Sequence, residues 1–79
     1  MGKYAPFTEW LKRQPQDNVS LTFSKIEEII NDNLPSCARR SFRPWDNVLG
    51  TSLCEAWLNA SFQTVMVDIE NERVKFQRI

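Results

Sequence analysis

The chain has 79 residues, enough for one domain whose thin core removes roughly 60–65% of the unfolded surface from water. Ten basic and ten acidic residues cancel, so whole-chain charge steers it toward neither nucleic acid nor anionic membrane, and any such attraction must come from a local patch. Hydrophobic residues make up 42% and charged residues 25%, the balance of a globular domain, and no apolar run reaches the roughly 18 residues a membrane span needs.

Phe7, Trp10 and Leu11 keep the i, i+3, i+4 spacing of one helical face. A first helix therefore opens near Pro6 and runs to about Arg13, before Pro15 breaks the pattern. Val19, Leu21 and Phe23 alternate with Ser20 and Thr22, which predicts a short strand with one buried face. Ser24-Lys25-Ile26-Glu27 has the form of a capping box, in which hydroxyl and carboxylate each satisfy a free backbone N–H. The helix behind it turns Ile26, Ile29 and Ile30 inward and Glu27, Glu28 and Asp32 outward, and Asn31-Asp32-Asn33 ends it.

Pro35 suits the first turn of a third helix, because its missing N–H is not needed there. That helix covers residues 36–43, from Ser36 to Arg43, and stops before Pro44, with Cys37, Ala38 and Phe42 inward. Residues 46–50 form a connection. Ser52-Leu53-Cys54-Glu55 is a second capping box, after which Leu53, Ala56, Trp57 and Ala60 mark one helical face. Residues 62–69 and 73–77 read as strands joined at Glu70-Asn71-Glu72, with Val65, Val67, Ile69, Val74 and Phe76 on the packed faces.

A helix pair followed by a C-terminal hairpin resembles the winged helix-turn-helix arrangement. The expected fold is thus α+β: a single domain over residues 1–79, helices packed on a short antiparallel sheet that the early strand completes. Trp10, Leu11, Phe23, Ile26, Ile29, Ile30, Phe42, Leu53, Trp57, Val67 and Phe76 are its expected core.

The chain also resembles an uncharacterised family of small bacterial domains. The resemblance rests on Tyr4-Ala5-Pro6-Phe7-Thr8-Glu9-Trp10-Leu11, on Leu21-Thr22-Phe23-Ser24-Lys25-Ile26-Glu27, and on Leu34-Pro35 with Ser36, Ala38, Arg39 and Arg40. It continues through Trp45 and Asn47, Ala56-Trp57-Leu58 and Val74-Lys75-Phe76-Gln77-Arg78, and so spans nearly the whole chain. Two departures stand out. Asp46 occupies the place of the usual second aromatic of a tryptophan pair, and Ala60-Ser61-Phe62 replaces Ala-Gly-Trp. The resemblance implies a compact domain and no particular activity.

Function is concentrated, on this reading, between Leu34 and Asn47, a stretch with three of the six arginines and no acid before Asp46. On a helix Arg39 and Arg43 share a face, with Arg40 beside them, and arginine forks suit phosphate and carboxylate. The first functional expectation is a non-enzymatic domain that binds double-stranded DNA through this basic helix, with Trp45 and Asn47 completing the surface and Arg73 and Lys75 reaching phosphate from the wing. The competing structural expectation pairs the arginines with Glu27, Glu28 and Asp32, plugs the core with Trp45 and uses Asn47 as a cap. Asp68, Glu70 and Glu72 at the hairpin tip would repel phosphate. The second functional expectation is accordingly a protein-interaction module, such as a small adaptor or an inhibitor of a larger complex, and self-association as a homodimer accompanies either.

The chain has no histidine to activate a nucleophile, no Gly-rich phosphate loop and no carboxylate pair aimed at one point. No catalytic residue, metal site or cofactor is expected, nor a membrane partner. Cys37 and Cys54 are expected to be reduced thiols in a cytoplasmic protein, since no secretion signal opens the chain.

Overall fold

A computed structural model describes residues 2–47 and 51–79. The elements run α1 (Ala5–Lys12), β1 (Asn18–Thr22), α2 (Phe23–Ile30), α3 (Ser36–Arg40), a 3-10 turn (Arg43–Trp45), α4 (Ser52–Leu58), β2 (Phe62–Asp68) and β3 (Arg73–Arg78). The class is α+β, and the element order is that read from the sequence. The three strands form one antiparallel sheet with β3 in the middle, between β1 and β2. The register sets Val19 opposite Phe76, and both Leu21 and Val67 opposite Val74, so one sheet face meets the helices. Ser20, Lys75 and Met66 alternate onto the other face.

Both N-caps are threonines that precede the capping boxes. Thr22 Oγ1 accepts from the Lys25 N–H at 3.0 Å, and Thr51 Oγ1 from the Cys54 N–H at 3.1 Å. Phe23 is therefore the first residue of α2 rather than the end of β1. Its N–H still bonds across to the Glu72 carbonyl at 2.9 Å, which ties the start of α2 to the hairpin turn.

The third helix is shorter than expected. It ends at Arg40, and Ser41 is extended, with φ −141° and ψ 150°. Pro44 explains the stop: it has no N–H for the Arg40 carbonyl, and its ring crowds that carbonyl. The extended residue breaks the helical phase, so Phe42 does not follow Ala38 into the core. Ala38 is buried, whereas Phe42 is 62% exposed and Cys37 faces solvent. The two thiols are not bridged. In β2 a bulge between Thr64 and Met66 resets the alternation, which leaves Val65 exposed while Val67 and Ile69 pack against the core. Of the 46–50 connection, Val48, Leu49 and Gly50 lie outside the described residues.

The core is organised around stacked aromatic rings. Phe23 stacks on Trp45 with centroids 5.2 Å apart, Trp45 on Trp57 at 5.8 Å, and Trp57 tilts against Phe76 at 5.4 Å. Phe7 closes the series edge-on to Phe76 at 5.7 Å. Leu11, Ile26, Ile30 and Leu53 are buried around it, and Trp10 and Ile29 are half-buried against it. Trp57→Ala removes the middle of this series. The expected cost is about 3–5 kcal/mol, measured as the loss of unfolding free energy in urea.

Three non-glycine residues adopt left-handed backbone: Asn31 (φ 53°), Ser61 (φ 64°) and Glu72 (φ 53°). Asn31 ends α2, where asparagine tolerates that conformation well. Ser61 makes the tight link from α4 to β2. Ser61→Gly should raise stability by about 0.5–1 kcal/mol, since relief of the side-chain clash outweighs the entropy glycine adds to the unfolded chain.

Candidate functional site

The residues singled out in the sequence do not form one surface. Arg39 is held from two sides. Its Nη2 bonds Glu27 Oε1 at 2.5 Å, and its Nη1 bonds Glu72 Oε2 at 2.8 Å. Glu27 also accepts the Leu34 N–H at 2.8 Å, which fixes the chain between α2 and α3. One guanidinium thereby joins α2, α3 and the β2–β3 turn. The sequence anticipated Glu27 as a partner but not Glu72, which comes from across the fold. The Leu34 N–H bond, followed by the Arg39 contacts, lowers the Glu27 pKa below its ordinary value of 4.5 despite opposing desolvation. The Arg39 pKa is raised, chiefly by the bond to Glu27.

Arg40 folds back along its own helix, with Nε 3.4 Å from the Ser36 carbonyl. Arg43 sits on the 3-10 turn beside Tyr4, Cys37 and Leu53, and its guanidinium has no hydrogen bond or ion pair among the described residues. Trp45 is a core residue, 1% exposed, whose Nε1–H donates to the Ala38 carbonyl at 2.8 Å. Asn47 serves the core as well. Its Oδ1 accepts from Trp57 Nε1 at 2.9 Å and from the Thr64 N–H at 2.7 Å, while its Nδ2 donates to the Thr64 carbonyl at 2.8 Å. The amide thus occupies the edge of β2 as a neighbouring strand's peptide would. Arg73 and Lys75 project from β3 onto the outer sheet face, opposite Asp68 and Met66.

The sequence reading missed a second feature. Phe42 lies beside Val65 and Met66, and these are 62%, 46% and 54% exposed. The signal was misleading at both ends: Phe42 fell in phase with a helix that stops early, and Val65 with an alternation that the bulge breaks. Among the described residues no cluster of three or more His, Cys, Asp or Glu side chains could hold a metal ion. No described helix is long and apolar enough to cross a membrane.

This α+β architecture, with four helices on a three-stranded antiparallel sheet, defines a small domain class. A family model described as a domain of unknown function, DUF7662, matches residues 4–79, and the chain belongs to that family. No curated protein and no solved structure matches the chain.

The arginines are therefore expected to separate on mutation. Arg39→Ala should lower stability by about 1–3 kcal/mol, because it strips charged partners from Glu27 and Glu72. Arg40→Ala and Arg43→Ala should stay within about 0.5 kcal/mol of the parent in the same urea titration. Glu27 adds a pH signature. Its folded pKa lies below 4.5, so its contribution is complete above that pH and is lost as pH falls through the folded value. The urea midpoint should drop below about pH 4.5, and Glu27→Gln should show a smaller drop.

Proposed function

We propose that the domain is a non-enzymatic protein-interaction module that docks its partner on Phe42 and the adjoining face of β2. The observation that carries this reading is the exposed apolar patch of Phe42, Val65 and Met66 on a domain otherwise short of core. The polar side chains first read as a recognition surface favour it indirectly, since Arg39, Trp45 and Asn47 are engaged within the fold.

The double-stranded DNA reading draws on Arg40 and Arg43, with Arg73 and Lys75 further off on the sheet. As a winged helix, the domain would send α3 or α4 into the groove. α3 is five residues and about 7.5 Å long, and its Arg39 is turned back onto two carboxylates. α4 carries Glu55 and no Lys or Arg. With Arg40 and Arg43 alone, the salt dependence of DNA binding would have a log–log slope of only about −2.

The test is a pull-down from host lysate with the full chain as bait, with and without nuclease. The expected result is a protein retained after nuclease, lost with Phe42→Ser/Met66→Ser and kept with Arg40→Ala/Arg43→Ala. Nuclease-sensitive retention that is lost with the arginine pair and kept with the Phe42 pair would overturn this reading in favour of DNA.

A further inference from the structure

We propose that the segment docking at Phe42 is a short extended stretch of another protein in which Lys or Arg residues flank apolar ones. This rests on the reading of the domain as an interaction module and specifies what that module recognises. Two shallow grooves meet at Phe42. One follows β2 toward the hairpin tip, past Met66, Val67 and Ile69. The other runs the opposite way, between Phe42 and Val65 and over the covered edge of Trp45. The first has a mostly apolar floor, whereas the second sets the polar Asp46, Asn47 and Thr64 beside Phe42 and Val65.

Every charged residue lining these grooves is an acid. Asp68 and Glu70 line the first, Asp46 the second, and no Lys or Arg lines either. Asp68 is held by Asn71, whose N–H and Nδ2 lie 3.1 and 2.8 Å from its carboxylate, and Arg73 stands opposite it in the ladder. The carboxylates of Asp46 and Glu70 have no hydrogen bond or ion pair among the described residues. They flank Phe42 with carboxylates, while the cations of β3, Lys75 opposite Met66 and Arg73 opposite Asp68, line neither groove. An apolar segment bearing cations at either end matches this pattern, and an acidic one is repelled by it.

Size and edge chemistry narrow the occupant further. A stable dimer needs about 800 Å² from each partner, roughly a sixth of this chain's 4936 Å² surface. Three exposed apolar side chains fall far short of that, whereas a short peptide is held by a few anchors in a groove. Strand addition along β2 is closed at Thr64, because Asn47 already holds its outward N–H and C=O. The segment therefore seats on side chains at that point and does not extend the sheet there.

The experiment is selection of a random decapeptide display library against the full chain, followed by fluorescence anisotropy of the enriched peptides. Phe42→Ser and Asp46→Lys/Glu70→Lys are compared with the parent, and all three should melt within about 2 °C of one another because the substituted side chains are exposed or unpaired. The expected result is enrichment of Lys or Arg next to apolar residues, with affinity weakened about tenfold or more by each variant. Enriched peptides that need Phe42 but are acidic or uncharged would overturn the basic partner and leave the docking surface standing. Enrichment indifferent to Phe42, or none, would overturn both. Sedimentation of the free chain completes the set: a dimer abolished by Phe42→Ser would assign the surface to a second copy and overturn the proposal.

Discussion

The stacked series Phe23, Trp45, Trp57 and Phe76 is the constraint on which the rest of the molecule depends. These rings come from α2, the 3-10 turn, α4 and β3, so one contact series joins elements that share few other contacts. A chain of 79 residues has a thin core, and aromatic rings bury 150–250 Å² each, more than aliphatic side chains can. The cost of this solution is two indole N–H groups inside the protein. Ala38 and Asn47 accept them, and an unsatisfied donor there would cost about 1–3 kcal/mol. The positions of α3 and of residue 47 are thus consequences of where the tryptophans must sit.

The polar residues nearest this core act on architecture. Asn47 satisfies Trp57 and covers β2 with the same amide, so one short side chain closes a buried donor and a sheet edge together. Arg39 does the corresponding work on the opposite side, since Glu27 and Glu72 lie on segments that only the finished fold brings near. Arg78 is a third such tie. It bonds Asp17 at 3.0 Å and the Gln14 carbonyl at 2.8 Å, and it covers the Phe62 ring at 4.7 Å. Two of the six arginines, Arg39 and Arg78, are used in this way.

Local order was legible in the sequence wherever a periodicity ran undisturbed. The faces of α1, α2 and α4, the alternation of β3 and the hairpin turn all follow from spacing. Two interruptions were not legible. Pro44 ends α3 through a carbonyl four residues earlier, and the bulge at Val65 appears only once β2 is paired with β3. Both interruptions fall on the same side of the molecule, so the errors they caused concern the same residues, Phe42 and Val65. The cation cluster was legible as charge and in its Glu27 contact but not in its Glu72 contact, because Glu72 is 33 residues from Arg39 in sequence. Ser61 keeps a backbone suited to glycine, while Asp46 puts a carboxylate beside Phe42.

That placement bears on why Phe42 is outside at all. Burying a phenylalanine is worth about 1.5–3 kcal/mol, a large fraction of the 5–15 kcal/mol that holds a typical domain together. A fold so dependent on a few rings nevertheless leaves one of its five phenylalanines in solvent. The backbone accounts for the direction of the side chain, since extended Ser41 and the turn at Pro44 point residue 42 away from Trp45's inner face. Met66 and Val65 then meet it from β2, on the strand that the bulge has turned outward. Asp46 and Glu70 border the result with carboxylates. On the docking reading proposed above, an apolar centre bordered by carboxylates would select by repulsion as well as by contact, and the patch itself arises at the two places where the chain's periodicities fail.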